Sequence, residues 1–117
     1  MEGLYKNIGK RIKLLIDNDD RTVIELAEHL GKKRQAVYNW INATFKPSLE
    51  ELYKIARYYG VPLEYLIAGK EAPIDDVTAA FLVQTKDLTE QQKKIVFASM
   101  KAQVDMFKKM NQDKKKK

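Results

Sequence analysis

The stretch Ile24-Glu25-Leu26-Ala27-Glu28-His29-Leu30-Gly31-Lys32-Lys33-Arg34-Gln35-Ala36-Val37-Tyr38-Asn39-Trp40 sets two short helical patterns around one glycine. Ile24, Leu26, Ala27 and Leu30 give the first an inward face. Ala36, Val37, Trp40 and Ile41 do the same for the second, predicted over residues 33–42. Ala27 is small where the two helices cross, and Gly31 suits a turn conformation that a Cβ would penalise. Val37 and Trp40, facing the core, orient the second helix. That leaves Lys33, Arg34, Gln35, Tyr38, Asn39 and Asn42 pointing outward, with no carboxylate among them.

The flanking sequence continues the helical spacing. Leu4, Ile8, Ile12, Leu15 and Ile16 share one face of a first helix, closed by Asn18-Asp19-Asp20. Thr22 to Glu25 reads as a capping box, in which hydroxyl and carboxylate reciprocally satisfy backbone N–H groups. Ser48 to Glu51 is a second, opening a helix through Leu52, Ile55, Ala56 and Tyr59 that Gly60 ends. Pro62 suits the first turn of a fifth helix carrying Leu63, Leu66 and Ile67. Tyr53, Tyr58, Tyr59 and Tyr65 are expected to complete the packing.

Lys70-Glu71-Ala72-Pro73 marks a domain boundary, giving units 1–70 and 71–117. Residues 74–86 read as a helix with Val77, Ala80, Phe81 and Val83 apolar. Thr89 to Gln92 is a third capping box, and the helix it opens should reach about Met110. Phe97, Met100, Val104 and Phe107 follow at spacings of three and four, a seam flanked by Val96 and Met110. Two heptads are short for an isolated coiled coil, so residues 74–86 are expected to join it in an intertwined helical unit.

At 117 residues the chain has room for one domain, or a small one with an appendage. Its 44% apolar and 32% charged residues place it with globular rather than disordered chains. No apolar run is long enough for a membrane span, and the first residues lack a signal peptide's apolar core, so a cytoplasmic location is expected. With no cysteine and the single histidine His29, disulfides, thiolate zinc sites, cysteine nucleophiles and histidine-clustered metals are excluded. The acid pairs Glu50-Glu51 and Asp75-Asp76 lie at helix N-termini, where the dipole favours them without any chemistry. No phosphate-binding loop is present. Neither an enzyme nor a cofactor is expected.

The formal net charge of +6 is unevenly spread. Residues 1–70 carry +3, residues 71–112 are neutral, and Asp113 with Lys114 to Lys117 adds +3. The terminal lysines read as a solvated tail, or else as an auxiliary phosphate contact. Between His29 and Leu49, Lys32, Lys33, Arg34 and Lys46 occur without a carboxylate. Such a window is what a phosphate-facing surface requires.

In this arrangement the sequence resembles the lambda-repressor-like DNA-binding domains, the Cro/C1-type regulators that include the xenobiotic-response-element family. The resemblance covers roughly Ile8 to Ile67. It rests on Ile8-Gly9-Lys10-Arg11-Ile12, Glu25-Leu26-Ala27 with Gly31, Lys46-Pro47-Ser48-Leu49-Glu50-Glu51-Leu52, Ile55-Ala56, and Tyr59-Gly60-Val61-Pro62-Leu63. It implies a five-helix bundle whose second motif helix enters the major groove, Arg34, Gln35 and Asn39 reading base edges. Lys33, Tyr38, Asn42, Thr44 and Lys46 are then phosphate contacts, which position without specifying.

Three positions depart from the family pattern. Val23 replaces the glutamine that commonly braces a phosphate. Ile41 replaces a glutamate that pairs with an arginine of the first helix, so Arg11 should find another acid or a phosphate. Ala43 replaces a glycine, which either lengthens the helix or leaves the left-handed turn to Asn42.

The expected protein is all-α: a five-helix DNA-binding bundle followed by a C-terminal helical oligomerisation segment. The function expected is that of a bacterial or phage repressor. It would bind a palindromic double-stranded operator through its recognition helix, as a dimer or higher oligomer assembled by Phe97, Met100, Val104 and Phe107. The alternative is an antitoxin or switch whose C-terminal helices bind an antirepressor or other protein.

Overall fold

The computed structural model describes residues 2–115, with side chains for residues 3–113; the reading of the Lys114–Lys117 run lies outside those side chains. Among the described residues the chain is helical, without strands. It comprises α1 (Glu2–Asp17), α2 (Val23–His29), α3 (Arg34–Ile41), α4 (Leu49–Tyr59), α5 (Leu63–Ile67), a 3-10 turn (Gly69–Glu71), α6 (Asp76–Thr85) and α7 (Glu90–Lys115).

The three capping boxes form as the sequence implies. Thr22 Oγ1 accepts from the Glu25 amide at 3.2 Å while Glu25 Oε1 accepts from the Thr22 amide. Ser48 and Glu51 repeat the exchange at 3.1 and 2.8 Å, and Thr89 and Gln92 at 3.1 and 3.0 Å. Each satisfies donors that a helix start leaves unpaired, a contribution of ~1 kcal/mol per cap. Asn18 closes α1 by donating Nδ2 to the Leu14 carbonyl at 2.8 Å. Gly60 takes the left-handed conformation that ends α4.

Two compact units result, one running to Lys86 and one from Asp87 onward. In the first, Ile8, Ile12 and Leu15 of α1 meet Leu26, Val37, Trp40, Leu52, Ile55, Tyr59, Tyr65 and Leu66 in one core. α1 lies against α3, α5 and α6, α2 against α3, and α4 against α5. The second unit is the 26-residue α7 with its capping segment.

The boundary therefore falls after Lys86 and not at the Lys70–Pro73 linker. α6 belongs to the bundle: Ala79 and Val83 are buried in its core, while Val77 is 79% exposed. Polar contacts reinforce this docking. The Tyr65 hydroxyl donates to Asp76 at 2.7 Å, and Gln84 Nε2 donates to Asn18 Oδ1 at 2.7 Å. Lys86 and Arg21 both pair with Asp19, at 3.3 and 2.7 Å. Residues 74–86 are thus spoken for by α1 and α5, contrary to their expected partnership with the last helix.

Smaller expectations also shift. Ile24 is 49% exposed, because α2 turns Leu26 and Ala27 inward. Tyr53 stays exposed, its hydroxyl accepting from Arg57 at 3.3 Å, whereas Tyr59 and Tyr65 are buried. Tyr58 is half-buried, with the Arg21 guanidinium 3.7 Å from its ring centroid and the His29 ring beside it at 4.8 Å.

Ala43 itself adopts the left-handed conformation (φ 59°), while Asn42 remains right-handed. The Thr44 amide donates to the Asn39 carbonyl at 2.8 Å, and the Ala43 amide to the Trp40 carbonyl at 3.2 Å. This is a Schellman ending with alanine where glycine is usual, so the turn is kept at the cost of Cβ strain. Replacing Ala43 by Gly should relieve that strain and stabilise the fold by about 0.5–1 kcal/mol after the extra chain entropy of glycine is discounted. Thermal unfolding would register it as a melting temperature raised by a few degrees; a fall would show that Ala43 is unstrained.

Candidate nucleic-acid interface

The position of α3 is set by its neighbours. Val37 and Trp40 are buried, which turns Lys33, Arg34, Gln35, Tyr38 and Asn42 outward as exposed residues, with Asn39 half-buried among them. Thr44 and Lys46 continue the exposed surface along the loop that follows. The eight sequence-predicted residues thus lie on α3, its two caps and the loop that follows.

Gly9 of α1 was part of the motif, but its role is visible only in space. A Cβ built there would stand 2.3 Å from the Ile41 carbonyl oxygen and 2.7 Å from that of Trp40. α1 and the end of α3 therefore approach backbone to backbone. The one sequence signal was an isolated glycine inside a helical pattern, which marks a close approach.

Polar contacts tune this surface. Gln35 Nε2 donates to Asn39 Oδ1 at 3.1 Å, one helical turn apart, so the two amides form a unit. The Lys46 ammonium lies 5.0 Å from the Tyr5 ring centroid, which brings α1 to the edge of the candidate surface. Tyr5 was not anticipated: an aromatic residue on the first turn of α1 carries no spacing signal towards residue 46.

The acid-free window of the sequence is not acid-free in space. Lys32 pairs with Glu51 at 3.3 Å, because the start of α4 returns beside the turn. Burial works against the charge on Glu51. The Ser48 backbone amide and hydroxyl, with the Lys32 ammonium, outweigh it and hold the carboxyl below its ordinary value. Among the described residues Lys33 and Arg34 make no such pair, and both are exposed at the start of α3, whose N-cap Lys33 provides no side-chain cap.

Among the described residues Arg11 pairs with no acid. Its Nη1 donates to the Leu66 carbonyl at 3.2 Å. There the unpaired carbonyls at the end of α5 carry partial negative charge. Val23 is half-buried against the core, so an apolar contact stands where the family pattern has a polar brace.

An exposed, cation-bearing helix held by a shorter one across a glycine turn, inside a helical bundle, defines a helix-turn-helix DNA-binding module. The chain belongs to the helix-turn-helix family: the family model described as Helix-turn-helix matches residues 12–66. It is similar to the cryptic phage CTXphi transcriptional repressor RstR of Vibrio cholerae, 30% identical over 78 residues, which are 67% of this chain and 70% of that protein. No solved structure matches it significantly. The chain is a DNA-binding transcriptional regulator of the Cro/C1 type and not an enzyme. Among the described residues no group of histidine, aspartate and glutamate is placed to hold a metal ion, and no helix is long and apolar enough to cross a membrane.

Two outcomes test this geometry. Gly9→Ala should force α1 and α3 apart and cost ~1–3 kcal/mol as an overpacked contact, despite alanine's better helix propensity. Its melting temperature should fall and DNA affinity with it; a neutral substitution would contradict the close approach. Because the folded pKa of Glu51 is lowered, its contribution to stability is complete above the ordinary carboxylate value of about 4.3 and drains as pH falls through the lowered folded value. Urea midpoints of Glu51→Gln should therefore converge on those of the parent at acid pH and lie below them near neutrality.

Proposed function

We propose that the protein is a repressor that binds a two-fold-symmetric double-stranded operator as a dimer, one α3 entering the major groove at each half-site. The observation that carries this is the α3 surface: Lys33 and Arg34 exposed, with no ion-pair partner among the described residues, beside the joined amides of Gln35 and Asn39, on a helix anchored by Val37 and Trp40. Arginine suits guanine O6 and N7, and the amides suit adenine N6 and N7. Lys33, Tyr38, Asn42, Thr44 and Lys46 lie around these residues and would engage phosphates, fixing register on the duplex. Repression is the activity named for the Vibrio cholerae relative, and occlusion of promoter DNA by a bound dimer would achieve it.

Assembly falls to the segment beyond the compact unit. Phe97, Met100, Val104 and Phe107 remain exposed on α7, as do Ile95, Met106 and Met110. Apolar side chains of this size each gain ~1.5–3 kcal/mol on full burial, so a seam of four on each of two chains can offset a ~4–15 kcal/mol association cost. With α6 docked in the bundle, α7 alone supplies this face, and residues 87–117 rather than 71–117 are the assembly segment.

The test is the double substitution Arg34→Ala and Gln35→Ala, assayed with duplexes selected from a random pool. Both side chains are exposed, so the thermal transition should be unchanged. Discrimination between selected and random duplex should fall by roughly 10²–10⁴-fold, while weak salt-sensitive binding persists. Retained selectivity would show that α3 does not read the bases.

A further inference from the structure

We infer that Phe45 is a specificity-determining residue, its ring contacting the C5-methyl group of a thymine beside the base that Asn39 reads. This rests on the reading of α3 given above and adds to it an apolar contact and the base that such a contact selects.

Phe45 is 62% exposed, whereas Phe81, the other phenylalanine of the same compact unit, is half-buried. Apolar residues scattered singly over a surface are ordinary. Phe45 is distinguished by how firmly it is held. Its amide donates to the Asn39 carbonyl at 3.3 Å, the same oxygen that accepts from the Thr44 amide at 2.8 Å. On its other side Lys46 lies over the Tyr5 ring, Pro47 is buried, and Ser48 caps α4. The left-handed turn at Ala43 and the buried Pro47 therefore fix the loop at both ends. An exposed ring carried on ordered backbone has less freedom to lose when it is covered.

The surroundings favour a duplex as the occupant. Phe45 shares a shallow cleft with Ala36, Asn39, Trp40 and Lys46, and the Glu51 carboxylate that also lines it is paired with Lys32 at 3.3 Å. Leu49, although exposed, does not line that cleft. The residues on either side of Phe45 in the chain, Thr44 and Lys46, are exposed and of the kind that engage phosphates. An aromatic ring between two such residues, tied through its amide to a base-reading position of α3, sits where the edge of a groove would lie.

Thymine alone among the four bases presents a methyl group in the major groove, and phenylalanine is one of the side chains that meet it. The joined amides of Gln35 and Asn39 suit adenine, whose partner is thymine. An A·T pair, or two adjacent ones, thus offers an edge to the amides and a methyl group to the ring. The contact adds a discrimination that hydrogen bonds to adenine do not supply, because the methyl group takes no part in them.

The test removes that methyl group and nothing else. In a duplex selected from a random pool by the full chain, each thymine is replaced in turn by deoxyuridine, and binding is measured for the parent, Phe45→Ala and Phe45→Leu. For the parent, one thymine per half-site should matter: losing its methyl group should weaken binding about threefold to fivefold, the factor that burying one methyl group carries. Phe45→Ala should weaken binding to the thymine duplex by at least as much and bind the thymine and deoxyuridine duplexes equally. Phe45→Leu should restore part of the difference, and the thermal transition of both variants should match the parent because the ring is exposed. A parent indifferent to every deoxyuridine overturns the inference. So does a Phe45→Ala variant that still tells thymine from deoxyuridine, or one that loses only the association between copies, which would make Phe45 a protein contact. A parent that selects no duplex at all removes the reading of α3 as well, so the two failures are told apart.

Discussion

The orientation of α3 depends on a contact that has no side chain on one of its partners. At Gly9 the α1 backbone comes within van der Waals reach of the Ile41 and Trp40 carbonyls, closer than any Cβ would permit. Ile8 and Ile12 on either side of that contact are buried with Val37 and Trp40 in the same core. The apolar packing supplies the energy, and the glycine sets the distance at which it is realised. The exposed face of α3 points where it does because both are in place.

A second constraint acts at the same end of α3. The chain must leave the helix quickly, and Ala43 accepts a left-handed conformation to do so, with the Thr44 and Ala43 amides closing on the Asn39 and Trp40 carbonyls. Strain is thus held immediately beside the candidate recognition surface, a place where it is commonly tolerated when the surroundings over-determine the conformation. The Trp40 carbonyl is shared: Gly9 approaches it, and the Ala43 amide closes on it. The end of α3 is thus held by backbone contacts, whereas Lys33 and Arg34 at its start are exposed.

Division of labour along the chain follows from burial. Up to Lys86 each helix finds a partner, and α6 is held by Ala79, Val83 and its contacts to Tyr65, Asn18 and Asp19. Beyond that point α7 carries phenylalanine, methionine and valine side chains that stay exposed. An apolar helix face of this kind is what an assembly surface requires.

Much of the fold was legible because helix ends and helix faces are local. Three capping boxes, the turn at Gly31, the stop at Gly60 and a spacing of 3.6 residues determined α1 to α5 and the start of α7 from sequence alone. They also determined which side of α3 faces outward, since Val37 and Trp40 admit one orientation. What required the tertiary structure was every decision between residues far apart in the chain. Val77, Ala80, Phe81 and Val83 gave no sign that α6 would dock on α1, with Ala79 and Val83 buried and Val77 left outside. Nothing near Lys32 announced Glu51, nothing near Arg11 announced the Leu66 carbonyl, and Gly9 named no partner. Local patterns encode the geometry of one helix at a time; which helix lies against which is settled by how all of them bury their apolar faces together, and that sum has no signature in any single stretch of sequence.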